Sequence, residues 1–322
     1  MKSIHWLICM DDENITDISS SSFASYRLRS ALFSSKIFKD FKVTYGENIE
    51  NIDQLDYLFV GKIYSSRSDL FDKWIHLIKT YKKTNKKVFF DYTDNHLEFD
   101  TLAGKFYKNI LDKNDHIITS SAYLKFLIQN TFEKINVIED PIDISPQKII
   151  KMNNNEFLFY GHNTNISYLL KLIPKWEKTK NYTLHVQSSH YGLQTIQQES
   201  QYVAKPNNLE IKLELWSVEN MLERAKKVSG IIIPGDINDP RKQGVSSNRL
   251  ITAFALGLPV AASKYDSYLE FDHQFANIDY KNEFETFLKN PTLYSSRVVM
   301  AQKKLNSFTK DNIALKWLNL IK

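Results

Sequence analysis

Residues 231–268 read IIIPGDINDPRKQGVSSNRLITAFALGLPVAASKYDSY. An apolar run over 230–234 ends in a polar loop holding Asp236, Asn238, Asp239, Arg241 and Lys242. Ser246 or Ser247 then stands where a helix N-cap is expected, and Gly257 stands where that helix would stop. Leu258 and Pro259 turn the chain at once into a second apolar run over 260–263, so the unit is strand, loop, helix, strand.

The same rhythm runs along the whole chain. Short apolar runs alternate with longer amphipathic stretches, as in βαβ units packed into parallel sheets. The spacing predicts strands over 4–10, 42–45, 57–61, 87–91, 116–119 and 136–138, with helices over 24–36, 70–84, 99–111 and 121–131. A polar stretch with Pro141, Pro146 and the run 151–155 then marks a boundary. A second series predicts strands over 156–160, 182–186, 211–215, 230–234, 260–263 and 276–279. Its helices are expected over 166–176, 217–227 and 247–256, with two more near the end. The expected fold class is α/β, with two Rossmann-like domains over 1–144 and 145–305 and a C-terminal helix in 306–322. No repeat of solenoid length occurs.

Composition agrees. The 322 residues are 43% hydrophobic and 25% charged, enough for two cores and unlike a disordered chain. Cys9 is the single cysteine, which excludes an internal disulfide and points to a reducing, cytoplasmic setting. The opening MKSIHWLICMDDEN reads as a first buried strand rather than a signal peptide, and no apolar stretch is long enough to span a bilayer. With 42 basic and 37 acidic residues the net charge is +5, too mild for a whole-protein nucleic-acid field. No metal-ligand spacing of His or Cys is present, and GxxxxGK[ST], GxSxG and GxGxxG are absent.

The segment at 231–268 also suggests chemistry. It gathers Ser246, Ser247, Asn248, Arg241, Lys242 and Arg249 near a helix N-terminus beyond the carboxyl ends of parallel strands, an arrangement suited to phosphate. The competing reading is a capped helix with a polar surface. Arg249-Leu250-Ile251 followed by Ala253-Phe254-Ala255-Leu256-Gly257-Leu258-Pro259-Val260-Ala261-Ala262-Ser263 resembles the donor-site helix and strand of GT-B glycosyltransferases, especially glycosyltransferase family 4. Val137-Ile138-Glu139-Asp140-Pro141-Ile142-Asp143 is similar to that family's interdomain element, and Phe308, Ile313 and Trp317 resemble its returning C-terminal helix. The resemblance implies two domains facing a cleft, a nucleotide-sugar bound by the second, a glycan or lipid-linked glycan acceptor bound by the first, and no cofactor or metal. It departs at two positions: Gly244 and Thr252 stand where the family usually has glutamates, which suits a divergent family, for example one using a CMP-activated acid sugar.

Other candidates follow. Gly161, His162 and Asn163 come just after a strand, where the resemblance puts the loop approaching donor phosphates; a histidine that merely completes a loop is the alternative. Asp94 and His96, in Asp91-Tyr92-Thr93-Asp94-Asn95-His96, are the general-base candidates for an inverting transfer, with Asp94 first, against a turn that caps the next helix. The hydroxyl run 19–22 could cap a helix carrying Arg27 and Arg29, and Arg27 could neutralise phosphate or an acidic acceptor. Lys79, Lys82, Lys83, Lys86 and Lys87 form the strongest basic run; it could attract anionic lipid or simply end a helix favourably. The functional expectation is glycosyl transfer in cell-surface polysaccharide synthesis. The rivals are a non-catalytic scaffold on the same frame and a sugar-nucleotide epimerase.

Overall fold

The structure, a computed structural model, describes residues 1–9, 18–20 and 23–322, with Ser65 and Ser66 as backbone alone. Met10, Ser21 and Ser22 lie outside the described residues. The chain divides into two compact units: Met1–Asp143 with Pro240–Ser246 and Ser307–Lys322, and Ile144–Asp239 with Ser247–Asn306.

In the first unit the strands are β1 (Lys2–Leu7), β2 (Phe41–Gly46), β3 (Tyr57–Val60), β4 (Lys87–Tyr92), β5 (His116–Thr119) and β6 (Lys134–Val137). They form one sheet in the order β2-β1-β3-β4-β5-β6, every pair parallel. Helices α1 (Ala24–Leu28), α2 (Phe71–Lys82), α3 (Leu102–Ile110) and α4 (Ala122–Ile128) connect them. In the second unit β7 (Glu156–Tyr160), β8 (Tyr182–Ser188), β9 (Leu209–Leu215), β10 (Gly230–Ile233), β11 (Val260–Ala262) and β12 (Ala276–Asn277) are ordered β12-β11-β10-β7-β8-β9. These pairs are also parallel. Helices α5 (Ile166–Leu172), α6 (His190–Glu199), α7 (Val218–Ala225), α8 (Asn248–Ala255), α9 (Lys281–Lys289) and α10 (Ser295–Gln302) complete it. The final helix, α11 (Lys310–Ile321), sends Ile313, Trp317 and Ile321 into the core of the first unit. There the Trp317 ring lies edge-on to Trp6 and Phe33. Strand order reverses between β1 and β3 in one sheet and between β7 and β10 in the other. Ligands of open α/β sheets collect beyond the carboxyl ends of strands at such points.

Helix expectations needed more revision than strands. The predicted helix over 24–36 breaks after Leu28 into 3-10 turns at Ser30–Ser34 and Lys36–Phe38. Ser30 Oγ donates back to the Tyr26 carbonyl at 3.0 Å, the local competition by which serine weakens a helix. Its N-cap is Phe23, with no side-chain cap bond. The helix predicted over 166–176 stops at Leu172 because Pro174, in the 3-10 turn Ile173–Lys175, has no N–H to continue it. Helix α6 was not expected: HYGLQTIQQE buries only Gly192 and Ile196, too little apolar signal to show a period. Gly257 does end α8. It sits at φ +75°, its N–H donates to the Phe254 carbonyl at 3.0 Å, and Leu258 N–H reaches the Ala253 carbonyl at 3.4 Å, the two bonds of a Schellman cap.

His5 on β1 is buried, with Nδ1 2.8 Å from Thr44 Oγ1. Burial pushes its pKa from 6.5 down to about 4, against the hydrogen bond to the Gly46 carbonyl. The folded imidazole therefore stays neutral while the unfolded one protonates, and stability drains as pH falls from 6.5 to about 4. A His5→Gln variant is expected to lose on the order of 3 kcal/mol less than wild type between pH 7 and 4 in urea denaturation. Parallel pH dependences would remove His5 as the cause.

Candidate active-site residues in each unit

In the second unit the candidate residues gather past the ends of β7 and β10, adjacent strands at the reversal of strand order. Arg249, in the first turn of α8, is fixed at its carbonyl by the Tyr160 hydroxyl at 2.6 Å. Its side chain bonds the buried Tyr268 hydroxyl. Its Nη1 is buried without a hydrogen-bond partner. A Cβ built on Gly161 would lie 3.5 Å from that nitrogen, so the bare backbone of the β7 loop adjoins a guanidinium N–H with bonding capacity to spare. Ser188 Oγ donates to the Gly161 carbonyl at 2.8 Å and holds the loop. Ser247 is the N-cap of α8, yet its side chain makes no cap bond and instead reaches Glu270 Oε1 at 3.4 Å. Ser247 thus stands at the expected N-cap without the side-chain bond: its backbone ψ of 11° is not the extended geometry such a bond needs. Asn248 is the first residue of α8. Together these groups offer a helix N-terminus, a guanidinium and a glycine turn to an anion.

The neighbouring candidates mostly build loops. His162 caps the 3-10 turn Asn163–Asn165, its ring 3.2 Å from Thr164 Oγ1. Asn163 Oδ1 accepts from Thr164 N–H at 3.0 Å. Asp236 accepts from Asn238 N–H at 3.1 Å and pairs with Lys171 at 3.3 Å.

Arg241, Lys242 and Ser246 lie in Pro240–Ser246, which packs with the first unit, not the second where their sequence neighbours placed them. Ser121 Oγ donates to the Gly244 carbonyl at 2.9 Å. A Cβ on Gly244 would come within 2.8 Å of Leu124 Cδ1, so only glycine lets the loop lie this close to α4. The loop's cations thereby act on the residues past β4. Asp94 pairs with Lys62, and His96 Nε2 is 3.9 Å from Asp94 Oδ2. Burial alone would raise the Asp94 pKa, but Lys62, Lys242 and His96 hold it well below the carboxylate range. So stable an anion is a weak proton acceptor. Burial lowers the His96 pKa, opposed by Asp94 and assisted by Lys62, Lys242 and Arg241. The ring stacks on Tyr107, and Nε2 is buried without a hydrogen-bond partner, so a neutral imidazole there can take a proton. The Asp-Asn-His turn does not cap α3, whose N-cap is Thr101. It is held instead by the Tyr92 hydroxyl, which accepts from His96 N–H at 2.6 Å.

Arg27 reaches Asp143 at 3.1 Å. Arg29 is wholly internal, bonded to Asp91 and Asp140. Sequence reasoning missed Lys62. Its only signal was its place two residues past β3, beside β4, which carries Asp94 on its following turn. The basic run is not five equivalent cations: Lys82 meets Asp112 and Asp115 at 2.7 and 2.6 Å, and Lys86 donates to the Asp53 carbonyl. Among the described residues no helix is long and apolar enough to cross a membrane.

No family model and no curated protein matches the chain. Among solved structures it is similar to an alpha-glucosyltransferase in complex with UDP and a 13-mer DNA containing an HMU base. That match covers 99% of this chain and 98% of the other, at TM-score 0.62 and 12% identity. TarM matches over 92% of this chain at TM-score 0.58 and 14% identity, and the chain spans 57% of TarM. S. aureus MnaA with UDP matches over 100% of this chain and 96% of its own, at TM-score 0.51 and 12% identity. The fold is that of the GT-B glycosyltransferases, two Rossmann-like α/β units. The narrower family 4 resemblance rests on the sequence motif alone.

Because Lys242 and Arg241 lower the His96 pKa, moving their loop must raise it. Gly244→Ala and, separately, Lys242→Ala are expected to shift the His96 titration upward in ¹³C-histidine NMR. An unchanged titration in both would mean that the loop does not bring its cations to His96.

Proposed function

We propose that this chain is a glycosyltransferase that moves a sugar from a nucleotide-sugar donor to a glycan or lipid-linked glycan acceptor, in cell-surface polysaccharide synthesis. The observation that carries the reading is the buried, unpartnered Nη1 of Arg249 beside the Gly161 turn at the start of α8. A diphosphate seated there would complete the guanidinium's hydrogen bonding and meet the positive helix end. Charge develops on that phosphate as the sugar leaves, so preorganised donors at this point favour the transition state over the bound donor.

In the first unit His96 would accept the acceptor hydroxyl proton, while Asp94, kept ionised by Lys62, would orient that hydroxyl and stabilise the imidazolium that forms. UDP is the first nucleotide to test, because it is the nucleotide bound in the similar alpha-glucosyltransferase and MnaA structures.

In calorimetry the wild type is expected to bind UDP, and Arg249→Ala to stay folded but bind it at least roughly tenfold more weakly, with a melting temperature lowered by a few degrees as the buried Tyr268 hydroxyl loses its partner. Asp94→Asn is expected to keep UDP affinity within about twofold and to lose roughly a hundredfold or more in turnover, measured as sugar transfer from labelled donor. Failure to bind UDP, GDP or CMP in any form would overturn the assignment and leave a non-catalytic scaffold.

A further inference from the structure

Strands β8 and β9 of the second unit are polar on one of their two faces. Alternation along β8 sends Leu184 and Val186 into the core and leaves Thr183, His185 and Gln187 on the opposite face. In register beside these three on β9 stand Glu210, Lys212 and Glu214. Helices usually seal both faces of a parallel sheet with apolar side chains. Here, along the row Leu158, His185, Lys212, apolar character stops at β7. Beyond it lies a hollow of about 470 Å³, walled in part by Glu156, His185, Lys212, Arg224, Lys226 and Lys227. Glu156 opens β7, and Lys226 and Lys227 precede β10, so the hollow lies toward the amino ends of the strands. The Gly161 turn and Arg249 lie past the carboxyl ends.

His185, 1% exposed, has Nε2 2.8 Å from Glu156 Oε2, while its buried Nδ1 has no hydrogen-bond partner and lies 3.6 Å from Glu214 Oε1. Buried polar atoms without partners are uncommon, and this one belongs to a residue in the wall of an open hollow. Four cations and one carboxylate line that hollow; Glu214 and Glu223 line a smaller one of about 300 Å³ that shares Arg224 and Lys227. Arg224 is paired with Glu214. Lys212 meets Glu210 at 3.3 Å and Lys226 meets Glu223, exposed pairs that water weakens. Lys227 forms no ion pair among the described residues and acts on Glu223 through space. Glu156 spends Oε2 on His185 and has Oε1 left to accept from a hydroxyl. Cations on one wall suit a phosphate, and a carboxylate with a spare oxygen suits a sugar hydroxyl while repelling a bare polyanion. The volume is that of a small-molecule site. We propose that this hollow is a second ligand site, for a phosphorylated sugar, with the phosphate on Lys212 and Lys227 and a hydroxyl donating to Glu156. The site is independent of the transferase reading, and its ligand stabilises the second unit by binding it.

The test is calorimetry on the full chain with glucose 6-phosphate as the probe. It is expected to bind and to raise the melting temperature, glucose not to bind, and inorganic phosphate to bind at least roughly tenfold more weakly. Lys212→Ala and Lys227→Ala, both at exposed positions, should each weaken glucose 6-phosphate at least roughly tenfold and leave the melting temperature of the free protein in place. Arg249→Ala should keep its affinity within about twofold, as should saturating UDP. No binding by the wild type, or full binding by both lysine variants, would overturn the proposal. So would loss of binding in Arg249→Ala or displacement by UDP, because the phosphate would then sit beside Arg249. Equal affinity for inorganic phosphate would overturn the assignment to a sugar.

Discussion

A guanidinium with almost no access to water organises the first unit. Arg29 is 1% exposed. Its Nε meets both Asp91 oxygens at 2.8 and 2.9 Å, and its Nη1 reaches the Ile138 carbonyl and Asp140 at 2.8 and 2.9 Å. Its plane lies 5.1 Å from the Trp317 ring. Four stretches far apart in sequence therefore converge on one side chain: the segment after α1, the end of β4, the segment after β6, and α11. Burying such a charge is unfavourable unless it is paired and hydrogen-bonded; Arg29 Nη2 makes no hydrogen bond but lies 2.7 Å from Asp91 Oδ1, so the geometry of these stretches is tightly specified. Taking away the guanidinium would strand two buried carboxylates, a loss of about 3–5 kcal/mol.

The candidate site inherits that order. Asp91 is on β4, three residues before Asp94, so the strand that clamps Arg29 also sets the start of the turn carrying Asp94 and His96. Tyr92, next along the strand, then fixes the turn through the N–H groups of His96 and Leu97 at 2.6 and 2.9 Å. Polar groups placed by strand ends and buried networks keep their positions better than groups on free loops, which is what preorganised catalysis requires. In the second unit the comparable part is played by tyrosines: Tyr160 and Tyr268 hold Arg249, and Tyr265 receives the Asp236 N–H at 2.9 Å.

How much of this was legible follows from which forces leave a local trace. Strands that lie inside a parallel sheet are apolar over their whole length, so the runs at 57–61, 156–160 and 230–234 announced themselves. The Gly257 stop was legible for a similar reason, since a left-handed turn needs glycine. The segment at 24–36 misled because its apolar spacing is helical while its serines and the demands of Arg29 are not. Arg27 and Arg29 look alike in sequence, and only packing shows that one meets Asp143 and the other lies in the interior. Arg241 and Lys242 follow β10 in the chain, so nothing local could assign them to the other unit; a Ser121 hydroxyl and the flank of Leu124 do that. Lys62 is one lysine among many until the fold puts Asp94 next to it.

The packing of α11 bears on how the polypeptide matures. Tyr57 on β3 donates to the Ile321 carbonyl across 264 residues, and Trp317 contacts Trp6, Phe33 and Phe59. The first half of the chain emerges from the ribosome long before the residues that close its core, whereas the strands of the second unit are all made before α11. Closing so long a loop is slow, and the unfinished sheet stays exposed in the meantime. The earliest-made strands can thus complete their core only once α11 has been made.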